Sequence, residues 1–112
     1  MPELPEVETV KNGLIKKVKG EKILNCNVLY DGIIAYPSKE EFIKKIANQT
    51  IKDITRRGKF LMFILDDYYL ISHLRMEGKY FIKDLNEELS KHDHVIFTLD
   101  NGKELRYNGK YY

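Results

Sequence analysis

From Thr50 to Tyr107 short apolar runs alternate with turn residues, and this rhythm limits the fold more than any other feature of the chain. Ile51 and Ile54 lead into Thr55-Arg56-Arg57-Gly58-Lys59, and residues 60–65 are almost wholly apolar. Asp66-Asp67 turns the chain and residues 68–74 run back, which predicts a hairpin with a buried face. Glu77-Gly78 turns again before a short strand over 79–83, and the polar stretch 84–90 predicts a loop. A strand over 94–99, the tight turn Asp100-Asn101-Gly102 and a partner strand over 103–107 complete the series. Strands this short are not stable alone, so they must pair and stack. The predicted class is α+β: an antiparallel β-sandwich or flattened barrel with two helices at its edges.

Both helices come from the first half. Val7, Val10, Leu14 and Val18 recur at helical spacing, with lysines on much of the remaining surface, which predicts a helix over 4–19 ending at Gly20. Early glutamates and late lysines suit its dipole. Gly13 interrupts it and marks an expected close approach by another backbone. A strand over 21–30, the turn Asp31-Gly32 and a returning strand over 33–36 follow. Ser38 and Glu41 have capping-box spacing, and Phe42, Ile43, Ile46 and Ala47 give the second helix its buried face before it stops near Asn48.

At 112 residues the chain is one domain by length. A net charge of +2 is too small to argue nucleic-acid binding by itself, so local clustering must carry that argument. A single cysteine, Cys26, rules out an internal disulfide and a cysteine zinc site, and its alternating neighbours predict a buried, inert thiol. There is no apolar run of membrane-spanning length and no secretory pattern, so the expected location is cytoplasmic, with no membrane partner.

Four clusters could carry chemistry. Met1-Pro2-Glu3-Leu4-Pro5-Glu6 opens the chain. Its plain reading is a helix start, with proline and acids in the first turn. Removal of Met1 would leave Pro2 with a free amine of pKa roughly 8, against roughly 10 for lysine, and such an amine can form a Schiff base with an aldehyde carbon. Glu3 beside it could act as acid or base. If Met1 stays attached, the Pro2 nitrogen is an amide and cannot attack. Arg56-Arg57-Gly58-Lys59 could grip phosphates or could be a solvated strand edge. In His73-Leu74-Arg75-Met76-Glu77-Gly78 the methionine at a turn could be a wedge for a base stack or a tucked gap-filler. Lys91-His92-Asp93-His94 suggests a metal at first sight, since His92 and His94 would share a face on an extended strand. No third ligand is evident, so a phosphate contact from His92 and a structural His94 fit better than a metal.

Taken together, these motifs resemble one family. The opening Met1-Pro2-Glu3-Leu4-Pro5-Glu6-Val7-Glu8-Thr9 is similar to that of the bacterial formamidopyrimidine-DNA glycosylases, the Fpg proteins. The resemblance continues in order through Arg56-Arg57-Gly58-Lys59-Phe60-Leu61, His73-Leu74-Arg75-Met76-Glu77-Gly78, Lys91-His92-Asp93-His94-Val95 and Leu105-Arg106-Tyr107. Leu4 favours this branch over the endonuclease VIII branch, which usually has glycine there. The resemblance implies a base-excision-repair glycosylase and lyase acting on duplex DNA that carries an oxidised purine, such as 8-oxoguanine or a formamidopyrimidine, or an abasic site. It implies Pro2 as nucleophile, Glu3 as general acid, Glu6 as support for that site and Lys59 as an aid to elimination and a phosphate grip. Arg57, His73 and His92 would contact DNA, and Met76 would fill the gap left by a flipped nucleotide. A monomer, associated with the nucleoid when on DNA, is expected.

The resemblance covers the family's N-terminal catalytic domain, over residues 1–112. Gly109-Lys110-Tyr111-Tyr112 does not match the basic segment and phenylalanine-glycine that the family carries after the tyrosine. The helix-two-turn-helix and the zinc finger also have no counterpart, so no cofactor is expected in these residues. With few basic side chains, DNA binding is expected to be weakened and activity impaired. The alternatives are a folded, non-catalytic domain or a damaged-DNA-binding module, and, more remotely, a metal module on His92 and His94.

Overall fold

The computed structural model describes residues 4–74 and 78–109. Pro2, Glu3 and Met76 therefore lie outside the described residues. Helix α1 (Leu4–Val18) leads to strand β1 (Ile23–Val28), and a one-turn 3-10 helix (Asp31–Ile33) precedes helix α2 (Lys39–Ile46). Six strands follow: β2 (Asp53–Arg57), β3 (Phe60–Ile64), β4 (Tyr69–His73), β5 (Lys79–Asp84), β6 (Asp93–Leu99) and β7 (Lys103–Asn108). They form two antiparallel sheets, ordered β1-β6-β7-β5 and β2-β3-β4. This is the predicted α+β sandwich.

The core lies between the sheets. Leu61, Phe63, Leu65, Val95, Phe97, Leu105 and Tyr107 are buried there, and Leu70, Tyr80 and Ile82 pack against them. Helix α1 buries Val7, Leu14 and Val18 and packs against β2 and β3; α2 buries Phe42 and Ile46 against β1. Ser38 caps α2 by accepting from the Glu41 N–H at 3.2 Å. The segments after each helix join the two halves. Gly20 N–H donates to the Ile51 carbonyl at 2.7 Å, and Ile51 N–H to the Glu21 carbonyl at 2.9 Å. Gln49 then ties down the β3–β4 turn: its amide donates to the Asp67 carboxylate at 2.9 Å and accepts from the Asp67 N–H at 2.8 Å.

Three local expectations are corrected. Residues 33–36 do not return as a strand. β1 pairs with β6, which comes from far along the chain, and Ile33 and Ile34 instead pack half-buried against the core. Gly13 meets no close backbone; a Cβ built there has nothing within 4 Å. The Arg56-Arg57 segment, read as the approach to the Phe60 strand, forms a strand of its own that pairs with β3, Arg57 opposite Phe60.

Candidate functional site

The β2–β3 hairpin turns through only Gly58 and Lys59. Gly58 has φ +59° at the first central position, where primed hairpin turns place glycine. This puts Lys59 at the exposed tip, with exposed Arg57 directly behind it. Arg56 turns the other way. Its Nε donates to Glu8 Oε1 of α1 at 2.9 Å, and a terminal nitrogen donates to the Gly58 carbonyl at 3.0 Å. Glu8 also meets Lys11 at 2.7 Å. The Lys11 and Arg56 hydrogen bonds hold the Glu8 carboxyl below its ordinary value. Glu8 therefore ties the first turns of α1, where Glu6 is exposed, to the basic hairpin tip.

The same end of the molecule carries His73 and His92. His73 ends β4 opposite Phe60 and stacks on that ring with centroids 4.6 Å apart. Leu74 and Gly78 close the β4–β5 turn, with Gly78 N–H donating to the Leu74 carbonyl at 2.7 Å. Lys79, the first residue of β5, pairs with Asn108, which also faces Asp93 at the start of β6. His92 stands just before β6, and its carbonyl accepts from the Gly109 N–H at 3.1 Å. One rim thus collects the start of α1, the Gly58-Lys59 tip, the ends of β4 and β5 at Leu74 and Gly78, and His92. Arg57, Lys59, Lys79 and Lys91 on it are all exposed.

The two histidines are split between a turn and a strand. β6 starts at Asp93, so His92 precedes the strand and the premise of one extended face fails. His94 is buried, contacts the Gly109 carbonyl through Nε2 and lies 5.3 Å from the Tyr30 ring. Among the described residues no group of three or more histidine, cysteine or acidic side chains could hold a metal ion.

Two features were missed in the sequence. Glu8 was read as one acid among several, although its spacing to Lys11 is that of a helical ion pair. Arg106 was read only as part of a motif, yet it is 1% exposed and is the largest fully buried side chain among the described residues.

A two-sheet sandwich opened by a helix, with a basic hairpin tip tied beside that helix's first turns, is a recognisable kind of domain. The chain belongs to the family of the formamidopyrimidine-DNA glycosylase N-terminal domain, whose model matches residues 1–110. Similar curated proteins include the formamidopyrimidine-DNA glycosylases of Bacillus subtilis, 53% identical over 108 residues, and Ligilactobacillus salivarius, 53% identical over 109. In both comparisons 96% of this chain is covered but only 39% of the relative, so the chain spans about two fifths of their length. Among solved structures, the Lactococcus lactis enzyme non-covalently bound to DNA containing an AP site matches with TM-score 0.91 and 40% identity, over 96% of this chain and 41% of that one. A MutM structure in complex with DNA containing carbocyclic 8-oxo-G matches with TM-score 0.91 and 41% identity, over 96% and 40% of the two chains. No helix among the described residues is long and apolar enough to cross a membrane.

Proposed function

We propose that this chain is the catalytic head of a base-excision DNA glycosylase and lyase acting on oxidised purines and abasic sites in duplex DNA. The observation that carries the reading is the shared rim: the helix that follows Met1-Pro2-Glu3 is tied by Glu8 and Arg56 to the tip bearing Lys59. Membership of a family named for this activity, and structural relatives bound to AP-site and 8-oxo-G DNA, support the same reading.

In this reading Met1 is removed and the Pro2 amine attacks the sugar C1′ of the damaged nucleotide. The glycosidic bond breaks and the base leaves with its bonding electrons and a proton. Glu3 protonates the ring oxygen, the sugar opens, and an iminium joins Pro2 to C1′. Proton loss from the neighbouring sugar carbon then expels the 3′ phosphate, and a second elimination expels the 5′ phosphate. Lys59, at the exposed tip, holds the lesion's phosphate and assists elimination. Glu6 supports Glu3 from the helix, Arg57, His73 and His92 contact the backbone, and Met76 fills the space of the flipped nucleotide. No cofactor enters these steps. The monomeric chain works at the nucleoid, in the cytoplasm.

Borohydride reduces such an iminium to a stable amine, so trapping on an abasic-site duplex tests the reading directly. The protein used should have Met1 shown absent by mass spectrometry. The expected result is a covalent adduct that Pro2→Gly abolishes. No adduct, or one indifferent to that change, would remove Pro2 as the nucleophile. Binding of lesion duplex at two salt concentrations without trapping would leave a DNA-binding module; equal, undetectable binding of lesion and undamaged duplex would leave a non-catalytic fold.

A further inference from the structure

β5 and β6 both flank β7 antiparallel to it, so they run parallel to each other and the chain between them must cross β7. Parallel crossovers are usually helical and so satisfy their own backbone. Residues 85–92 contain no helix. Instead they pass over Arg106, whose five N–H donors are all used. Nε and one terminal nitrogen donate to Glu104 Oε1 at 3.0 and 2.8 Å. That same terminal nitrogen donates to the Glu87 carbonyl at 2.6 Å, and the other donates to the Glu88 carbonyl at 3.1 Å and Asp93 Oδ2 at 3.2 Å.

Asp93 carries the connection onward. Its carboxylate accepts from Arg106, from the Ser90 N–H at 2.9 Å and from the Asn108 amide at 2.8 Å. Asp93 N–H returns a bond to the Ser90 carbonyl at 3.0 Å, and Ser90 Oγ accepts from the His92 N–H at 3.2 Å. The turn that carries Lys91 and His92 is thus closed on itself and anchored to a buried guanidinium.

We infer that Arg106 and Asp93 are positioning residues for DNA binding: they mount the 90–93 turn so that His92 meets the phosphate backbone. This rests on the reading of His92 as a DNA contact. The mount acts through His92, so its effect on affinity must vanish when His92 is gone, whereas a general loss of structure would weaken binding in either background.

The test is a double-mutant cycle on the chain itself, with anisotropy of an abasic-analogue duplex at low salt as the readout. Asp93→Asn and Arg106→Lys, checked for folding by circular dichroism, should each weaken binding about three- to tenfold, the effect of a lost hydrogen bond. Ser90→Ala, on an exposed residue that carries no core packing, should weaken it about twofold. On a His92→Ala background all three should add less than about twofold in total. Losses that multiply with His92→Ala, or unchanged affinity in folded Asp93→Asn and Ser90→Ala, would overturn the inference. If His92→Ala itself leaves affinity untouched, or the unsubstituted chain binds no duplex, the reading of His92 fails first and the inference falls with it.

Discussion

The Tyr107 hydroxyl donates to the carbonyl of His73 at 3.1 Å, joining β7 of one sheet to the last residue of β4 in the other. The bond sits beside Gly78 and leaves no room there. A Cβ built on Gly78 would lie 2.2 Å from the Leu74 carbonyl oxygen and 2.4 Å from the Tyr107 hydroxyl. Gly78→Ala must therefore displace both the Gly78–Leu74 hydrogen bond and the tyrosine. The expected outcome is a loss of about 1–3 kcal/mol in urea unfolding, typical of overpacking. Tyr107→Phe should cost only about 1 kcal/mol. In the double variant, removing the hydroxyl should make Gly78→Ala milder, because one of the two obstructions is gone.

Glu8 predicts a separation between stability and activity. The Glu8–Arg56 pair is only half-buried and well reached by solvent, and pairs of that kind contribute little to stability. Its effect is on geometry, since it sets the first turns of α1 against the hairpin tip. Glu8→Gln should leave the thermal midpoint nearly unchanged. It should slow borohydride trapping at saturating abasic duplex by about tenfold, through misplacement of the reacting groups. Equal trapping rates would show that the tip and the helix are held together by packing alone.

Cys26 is buried in β1, and burial pushes its thiol up to about 12 from an ordinary 9.0. Only the thiolate reacts with disulfide reagents. At pH 8 the folded protein should react on the order of a thousandfold more slowly than the urea-unfolded chain, from the thiolate fraction alone. Stopped-flow labelling with an aromatic disulfide reads this directly, and rapid native labelling would show that β1 opens locally.

The sandwich was legible in the sequence because its signals are local. Alternating apolar runs, Asp66-Asp67 and Asp100-Asn101-Gly102 each report on a few adjacent residues. What stayed hidden is non-local. Residues 33–36 have strand-like side chains, and nothing nearby says that β1's partner is β6. Arg106 between Leu105 and Tyr107 has the alternation of a strand with one wet face. Its burial depends on a polar stretch, 85–92, folding back across that face. The candidate site was read from motif order, and the structure adds what ties its parts together: Glu8 to Arg56, and Asp93 to Arg106.

That second tie has a pH signature. Burial by itself would raise the Asp93 carboxyl, but the Asn108 amide, the Ser90 N–H and the Arg106 charge together outweigh it and hold the group below its ordinary 3.8. On acidification the unfolded chain therefore takes up this proton before the folded one does. The stabilisation is complete above about pH 5 and is lost as pH falls through 3.8 and then through the lower folded value. Asp93→Asn removes the charge but keeps the shape. It should destabilise by about 2 kcal/mol at pH 7, the range of a hydrogen bond to a charged group. The gap between the two proteins should narrow as pH falls through 3.8 and below, because the unfolded and then the native carboxyl take up the proton. Urea midpoints of both proteins across that range measure it. A gap that stays constant with pH would mean that Asp93 acts through its shape and not its charge, and Arg106 would then be held by Glu104 and the two crossover carbonyls alone.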